Sequence, residues 1–285
     1  MNKRVSTLAL VLIAVLVLTI SGCAKKETAS SQVTVSAEPA TSKAVQYADG
    51  AYFAIEDAFD DAGWKDYVSL TVSGGKISAV TWSAINRAGD EKVAYDQAGK
   101  YNMVKFGQAK AEWWEQAADV EQYLLANQRP GTVDEIGSVS ITVSGFTSLV
   151  EKALKAGVVT TGAYTDGIYR SEASSFDSGG WKTHATLLVH DGNIVSAYYS
   201  GVNKDGQDKQ LVAAQGGYGM ARASAIGKEW DEQAKAVEAH LLATQDPKKV
   251  NLKDDGSTDD ISGASMAVAD FFTLVTEALS QGPNR

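Results

Sequence analysis

The chain contains two copies of one sequence pattern, and this repetition constrains its fold more than any other feature. The segment Tyr47-Ala48-Asp49-Gly50 returns 117 residues later as Tyr164-Thr165-Asp166-Gly167. The same offset relates further residues of uncommon type: Trp64 and Trp181, Asn86 and Asn203, Met103 and Met220, and Trp113 and Trp230. A constant offset through rare residue types indicates tandem duplication of a whole domain. We therefore predict repeat 1 over residues 44–158 and repeat 2 over residues 161–282, each long enough for one modest core.

Each repeat shows the same order of predicted elements. A short strand follows Asp-Gly, and a longer alternating pair of strands meets at Gly74-Gly75 in repeat 1 and at Asp191-Gly192 in repeat 2, which predicts antiparallel hairpins. Apolar residues at i, i+4, i+7 and i+11 then predict an amphipathic helix. These residues are Trp113, Ala117, Val120 and Leu124 in repeat 1, and Trp230, Ala234, Val237 and Leu241 in repeat 2. A second helix ends at Gly157 or Gly282, so the predicted fold class is α+β, with an antiparallel sheet packed against helices in each copy.

The N-terminus indicates export. Lys3 and Arg4 precede an almost unbroken apolar run, Val5 to Ile20, and the run leads into Cys23. Residues 1–22 resemble the signal peptide of bacterial lipoproteins, which implies that Cys23 carries the lipid anchor. The alternative is a single transmembrane anchor, since the run is nearly long enough to span a bilayer. Residues 23–43 are rich in Lys, Glu, Ser and Thr and are predicted to form a disordered tether outside the cell.

Composition excludes several classes of function. Cys23 is the one cysteine in the sequence, so the exported body has no disulfide and no thiol chemistry. The three histidines, His184, His190 and His240, show no metal-ligand spacing, so no metal site is predicted, and His184 and His190 are interpreted as surface residues of repeat 2. Without residues 1–22 the chain has 24 basic and 35 acidic residues, which argues against nucleic acid as a partner.

A short motif in repeat 2 carries the chemistry. An eight-residue insertion around 253–256 shifts the offset, and Asp259-Asp260-Ile261-Ser262-Gly263-Ala264-Ser265 follows it. This segment resembles the flavinylation motif of FMN-binding domains, and the tandem arrangement behind a lipobox resembles the extracellular flavoprotein lipoproteins of Gram-positive bacteria. The resemblance implies that a flavin transferase attaches FMN to Ser265 through a phosphoester, with Asp259 helping to position a metal or the hydroxyl. It further implies an electron carrier between a membrane quinol-linked donor and an extracellular acceptor.

The residues themselves suit such a group. We expect Ser265 in the first turn of the closing helix, where free N–H groups and the helix dipole favour a phosphate. Gly263 and Ala264 leave room for the phosphate and the transferase. The alternative is a plain helix start with Ser262 as its N-cap.

Repeat 1 departs from the motif. Its matching stretch runs from Asp134 to Ser140, with Gly137-Ser138 in inverted order and the β-branched Val139 expected to crowd Ser140. A second FMN at Ser140 and a degenerate site both stay open. Tyr218 and Met220 echo Tyr101 and Met103, and they either face the flavin ring or belong to the core.

Two readings from other classes stay open as well. The domains are alternatively a surface binding or structural module that never receives flavin. The chain is alternatively the precursor of a pheromone, because Val15 to Gly22 is an apolar octapeptide directly before Cys23.

Overall fold

The computed structural model describes residues 46–284, and their elements follow the duplication. Repeat 1 contains β1 (Gly50–Ile55), β2 (Trp64–Ser73), β3 (Lys76–Asn86), α1 (Lys92–Gln97), α2 (Met103–Gly107), α3 (Trp113–Asn127), α4 (Val133–Ile136) and α5 (Ser144–Ala156). Repeat 2 contains β4 (Gly167–Glu172), β5 (Lys182–His190), β6 (Asn193–Val202), α6 (Lys209–Ala214), a 3-10 helix (Met220–Arg222), α7 (Trp230–Thr244) and α8 (Ala269–Gln281). The predicted signal, Cys23, the octapeptide and the tether lie outside the described residues. Within residues 46–284, no helix has the length and apolarity needed to cross a membrane.

Each repeat forms a three-stranded antiparallel sheet with the strands in sequence order, β1-β2-β3 and β4-β5-β6. The central hairpins turn where the sequence predicts. Gly74 and Gly75 have φ of 61° and 74°, and Asp191 and Gly192 have φ of 49° and 73°. Positive φ at both central residues matches the right-handed twist of the strands and closes a two-residue hairpin. The hairpin prediction is confirmed.

Two helices cover one face of each sheet. In repeat 1, α3 packs on β3, and α5 packs on β1 and β2. Their buried residues join one core with the strands, including Trp82, Trp113 and Phe146. In repeat 2, α7 packs on β6 and α8 on β4 and β5, around Trp230 and Phe271. The predicted α+β class is confirmed, and the helical tryptophans are core residues, at 4% and 5% exposure.

The opposite faces of the two sheets meet each other. Tyr67 and Ile85 of repeat 1 form one buried cluster with Ile168 and Leu188 of repeat 2. The join between the repeats is hydrogen-bonded to both, because Val159 N donates to Ala51 O (2.8 Å) and Gly162 N to Asp191 O (2.8 Å). β5 is therefore covered on both faces, which explains its unbroken run of buried residues from His184 to Val189.

Candidate functional site

Ser265 lies in an extended loop and not in a helix, so the expected position in a first helical turn is wrong. The closing helix α8 begins at Ala269, with Val268 as its N-cap. Its first N–H groups are already bonded, because Val268 N and Ala269 N both donate to Gly256 O, at 2.8 and 3.2 Å. Gly256 belongs to the eight-residue insertion, which thus closes over the helix start. The alternative with Ser262 as N-cap is wrong for the same reason.

A buried glutamine holds the loop at Ser265. The Oε1 of Gln233, on α7, accepts from Ser265 N at 2.8 Å, from Met266 N at 3.2 Å and from Ser265 Oγ at 3.3 Å. Gln233 is fully buried and Ser265 is half-buried. Buried N–H groups need acceptors, and one carboxamide oxygen supplies them for two successive residues. The side chain of Gln233 therefore fixes the backbone and the hydroxyl of Ser265 together.

The other end of Gln233 is fixed by the loop before α7. Its Nε2 donates to Lys228 O at 3.0 Å and to Ser224 Oγ at 3.1 Å, and it lies 3.8 Å from Met220 Sδ. Ser224 Oγ lies 3.4 Å from Ser265 Oγ. The structure thus brings Met220 beside the glutamine that orients Ser265, although Met220 also packs against the core.

A lysine head group lies over the glycine of the motif. Gly263 has φ of +96°, and a Cβ there would lie 3.1 Å from Lys228 Nζ. The backbone angle favours glycine at this position. The ammonium of the exposed Lys228 lies close to the motif at Gly263, two residues before Ser265. Ala264 is half-buried and packs against the repeat 2 core.

Repeat 1 has the equivalent glutamine, Gln116, but different residues stand around it. Gln116 Oε1 accepts from Ser140 N at 2.6 Å, from Ser140 Oγ at 3.1 Å and from Ile141 N at 3.2 Å. At the 117-residue offset, Ser224 corresponds to Gly107 and Lys228 to Ala111. Ser140 therefore has the same backbone clamp without the neighbouring hydroxyl and without the cation.

The inverted Gly-Ser order of repeat 1 has a backbone cause. Gly137 has φ of 75° and ends the short helix α4, which repeat 2 lacks. In repeat 2 the positive φ falls one residue later, at Gly263. Val139 is buried at 7% exposure in the repeat 1 core, whereas Ser140 is exposed. The Val139 side chain is thus turned into the core and does not cover Ser140.

The acidic residues of the motif are engaged elsewhere. Asp259 Oδ1 accepts from Lys253 Nζ at 2.5 Å, and its side chain is 83% exposed. Asp260 Oδ2 accepts from Asn251 N and Nδ2, at 2.7 and 2.9 Å. Asp134 is exposed in the first turn of α4. None of these contacts reaches Ser265 or Ser140.

The aromatic residues singled out in the sequence surround a buried lysine in each repeat. Lys209 Nζ lies 4.9 Å from the ring centre of Tyr218, 5.7 Å from Trp181 and 4.5 Å from Trp230. Lys92 makes the same contacts with Trp64, Tyr101 and Trp113. Burial lowers the pKa of Lys209. Tyr218 is 36% exposed and also packs against Trp181 and Trp230.

The prediction that His184 and His190 both lie at the surface is wrong for His184. His184 is buried at 2% exposure, with Arg170 Nη1 at 3.1 Å from its Nδ1, and burial followed by the Arg170 charge lowers its pKa to about 3. His190 is half-buried, and its side chain with those of Asp166 and Asp191 brings three potential ligand atoms within 4.8 Å. His190 bonds Asp191 at 3.1 Å, and Asp166 accepts from Gly192 N at 2.7 Å. These hydrogen bonds account for the cluster as part of the hairpin turn.

The site has the elements that a phosphoester needs and lacks a base of its own. A half-buried hydroxyl is oriented by two polar side chains, and an ammonium lies close by. Among residues 46–284, no carboxylate or imidazole is hydrogen-bonded to Ser265 Oγ. Serine hydroxyls are poor nucleophiles without a base. The Ser265 hydroxyl is therefore oriented by its neighbours and is not activated by a hydrogen-bonded base.

The sequence analysis missed Gln233, Gln116 and Lys228. The two glutamines share the 117-residue offset with the tryptophans beside them, and this was the signal available for them. Lys228 carries no such signal, because Ala111 stands at the matching position. Its role depends on the fold of the loop that brings it over Gly263.

No protein-family model matches the chain, and no curated protein matches it. The chain is similar to a protein from Clostridium thermocellum solved by NMR, at 44% identity over 41% of this chain and 91% of that protein, with a TM-score of 0.33. It is also similar to the crystal structure of a protein from Clostridium perfringens, at 23% identity over 42% of this chain and 88% of that one, with a TM-score of 0.33.

Proposed function

We propose that this chain is a lipid-anchored extracellular flavoprotein that carries FMN covalently on Ser265 and acts as an electron carrier. The observation that supports it most is the presentation of the Ser265 hydroxyl. It is half-buried and oriented by the fully buried Gln233, and the Lys228 ammonium lies near Gly263, two residues before it. This arrangement surrounds the serine that the sequence motif marks for flavin attachment.

The attachment would need a second protein. A phosphoester forms when Ser265 Oγ bonds to phosphorus, the bond from phosphorus to its leaving group breaks, and the hydroxyl proton passes to a base. Gln233 and Ser224 can orient the hydroxyl, but neither accepts a proton at neutral pH. A flavin transferase is therefore the partner that would supply the base. Lys228 would then face the phosphate charge of the attached group.

The bound FMN would supply one-electron and two-electron redox chemistry. This chain would supply a fixed point of attachment and a charged surface. Met220 lies beside Gln233, and Tyr218, two residues before Met220, packs against Trp230. These are the two residues that we assign to the flavin environment. The donor we propose is a membrane quinol-linked system, and the acceptor lies outside the cell, as the resemblance implies. A lipid on Cys23 would keep the carrier at the outer face of the membrane.

Intact-mass analysis tests the proposal. The full chain is exported from a host that expresses a flavin transferase, as wild type and as Ser265→Ala and Ser140→Ala variants. We expect one FMN on the wild type, one on Ser140→Ala and none on Ser265→Ala. Two flavins on the wild type would assign Ser140 as a second site. A colourless wild type without added mass would overturn the proposal and favour the flavin-free surface module.

A redox measurement tests the carrier role separately. The loaded protein is reduced under anaerobic conditions, and ferric iron is added while the visible absorbance of the flavin is followed. A carrier is expected to be reoxidised, and the Ser265→Ala variant gives the baseline. A flavin that is attached but stays reduced in the presence of the acceptor would contradict electron transfer while leaving attachment intact.

A further inference from the structure

A cavity of about 250 Å³ lies where the two repeats meet, away from Ser265. Its lining comes from both repeats: Phe59, Lys65 and Arg87 from repeat 1, and Tyr198, Gln210 and Glu238 from repeat 2. The cavity has room for a small organic molecule.

A buried, unpartnered cation faces this cavity. Lys65 lies on β2 and is only 8% exposed. In the part of the chain that the structure describes, its ammonium has no hydrogen bond and no carboxylate within 4.0 Å. The centre of the Phe59 ring lies 5.8 Å from it. A buried ammonium without a partner is costly, and burial lowers the pKa of Lys65 accordingly.

Arg87 adds a second unpaired charge. Its guanidinium lies 5.0 Å from the centre of the Phe59 ring, and its one recorded hydrogen bond is a long one, 3.4 Å to Asp60 O. No carboxylate among residues 46–284 lies within salt-bridge distance of it. Neither cation forms an ion pair within the described part of the chain, although two carboxylates, Asp57 and Glu238, also line the space. Asp57 is paired with Lys152 at 2.8 Å, so it does not neutralise Lys65 or Arg87 directly. A bound anion would supply the missing counter-charge.

Apolar and aromatic side chains form another part of the wall. Phe59 and Tyr198 pack edge to face with ring centres 5.2 Å apart, and Leu211 and three alanines also line the cavity. Lys235 lines it as well and is paired with Asp231 at 2.8 Å. A planar ring can lie against such a wall, since aromatic groups favour edge and offset contacts. Glu238 also faces the space, and burial raises its pKa to about 7 despite the charges of Lys65 and Lys235. Its negative charge is therefore only partly present at neutral pH.

We propose that this inter-repeat cavity binds a small aromatic carboxylate, with the carboxylate between Lys65 and Arg87 and the ring against Phe59 and Tyr198. The ligand would contact both repeats and would stabilise their contact. The site is separate from Ser265, so it does not depend on the flavin. A planar guanidinium is well suited to a carboxylate, and a buried ammonium gives the second charge-assisted bond.

The experiment measures benzoate binding to the full chain in detergent by calorimetry and by thermal unfolding. We expect benzoate to raise the melting temperature of the wild type. Lys65→Met is expected to weaken binding at least about tenfold, because a charge-assisted bond is lost and the apolar stem is kept. The matched control is Lys182→Met: Lys182 stands 117 residues later and pairs with Glu172 at 2.5 Å. It is expected to bind benzoate as the wild type does.

The unliganded protein gives a second readout. Without ligand, Lys65→Met is expected to melt at a higher temperature than the wild type, because an unpaired buried charge is gone. If Lys65→Met does not fold, Arg87→Gln carries the same binding test. Absence of benzoate binding to the wild type, equal losses in Lys65→Met and Lys182→Met, or acetate and inorganic phosphate binding as tightly as benzoate would each overturn the proposal. The Ser265→Ala variant is expected to bind benzoate normally, so failure of the flavin proposal leaves this result readable.

Discussion

The two serine sites share one clamp and differ in what surrounds it. Gln233 and Gln116 bond the same two backbone N–H groups and the same hydroxyl in their own repeats. Around Ser265 there are also a hydroxyl from Ser224 and the ammonium of Lys228. Around Ser140, glycine and alanine take those positions.

This difference distinguishes residues needed for the fold from residues that could serve flavin attachment. The glutamine is required in both repeats because it satisfies buried N–H groups, whether or not a cofactor is attached. Its presence at Ser140 therefore says little about flavin. Two positions differ between the repeats: Gly107 corresponds to Ser224, and Ala111 corresponds to Lys228. In repeat 2, Ser224 lies beside the Ser265 hydroxyl and Lys228 lies near the motif glycine. The comparison thus predicts that repeat 2 carries the flavin and that repeat 1 keeps an inactive copy of the scaffold.

The largest expected effect comes from removing the cation. Lys228→Ala is expected to lower the rate of flavin attachment to Ser265 about tenfold or more, because a charge-assisted contact to the phosphate contributes about 1.5–3 kcal/mol. The measurement is the time course of FMN incorporation by mass spectrometry. The matched control is Lys248→Ala, another exposed lysine of repeat 2. Equal rates in both variants would remove Lys228 from the site.

The reverse experiment restores the lost residues to repeat 1. Gly107→Ser and Ala111→Lys are combined in a Ser265→Ala background, so that any flavin must sit on Ser140. A Cβ at Gly107 meets no atom within 4 Å, so the serine is tolerated. We expect flavin on Ser140 in this variant and none in the Ser265→Ala parent. If the parent already carries flavin, the two sites are equivalent and the comparison fails.

The clamp itself is tested by stability. Gln233→Leu leaves Ser265 N and Met266 N without an acceptor, and we expect a loss of about 2–4 kcal/mol in the free energy of unfolding. Gln116→Leu is expected to cost less, about 1–2 kcal/mol, because Ser140 is exposed and water can replace one bond. Urea unfolding measures both, with the exposed Gln207→Leu as control. A larger loss in repeat 1 would contradict the burial argument.

The sequence could predict the fold because its signals are local. Period-2 strands, hairpin dipeptides and an i, i+4, i+7, i+11 stripe define the hairpins and α3 and α7 within short windows. The position of Ser265 could not be predicted in this way. Its loop is held by Gln233, 32 residues earlier, and α8 starts where Gly256 accepts two N–H groups. Both contacts are tertiary, so a local helix-start argument placed Ser265 in the wrong element.

The contact between the two repeats also could not be predicted from local sequence patterns. The sequence suggests a surface position for His184 because a different residue, Tyr67, stands at the matching position of repeat 1. The face of β5 is instead covered by the other sheet, so His184 is buried beside Arg170. The burial of Lys65 could not be predicted for the same reason. A lysine in a strand of one repeat gives no sign that the other repeat will cover it.

A pair of equivalent glutamates gives a smaller, pH-dependent test. Glu238 accepts from Tyr199 N at 2.7 Å, and Glu121 from Trp82 N at 2.6 Å. Burial raises both pKa values, that of Glu238 from 4.5 to about 7. A carboxyl with a raised folded-state pKa binds its proton more tightly when folded, so stability is lost as pH rises from about 4.5 through about 7. We expect Glu238→Gln to remove up to about 3 kcal/mol of this decline.

The difference between the unfolding free energies of variant and wild type, measured from pH 4 to 8, isolates this titration from the others. Glu121→Gln is expected to flatten the curve less than Glu238→Gln does. The order would be reversed if the inter-repeat cavity were open to bulk water around Glu238, because the carboxyl would then be hydrated and its pKa would be ordinary.

The smallest effect is expected at the acidic end of the motif. The resemblance assigns Asp259 a part in flavin transfer, whereas the structure pairs it with Lys253 on an exposed loop. Exposed ion pairs contribute little to stability, so Asp259→Asn and Lys253→Met should leave the melting temperature unchanged within error. If Asp259 only forms this pair, both variants will incorporate FMN at the wild-type rate. If it positions the hydroxyl or a metal in the complex with the transferase, Asp259→Asn alone will slow incorporation, since Lys253→Met removes the pair and keeps the carboxylate.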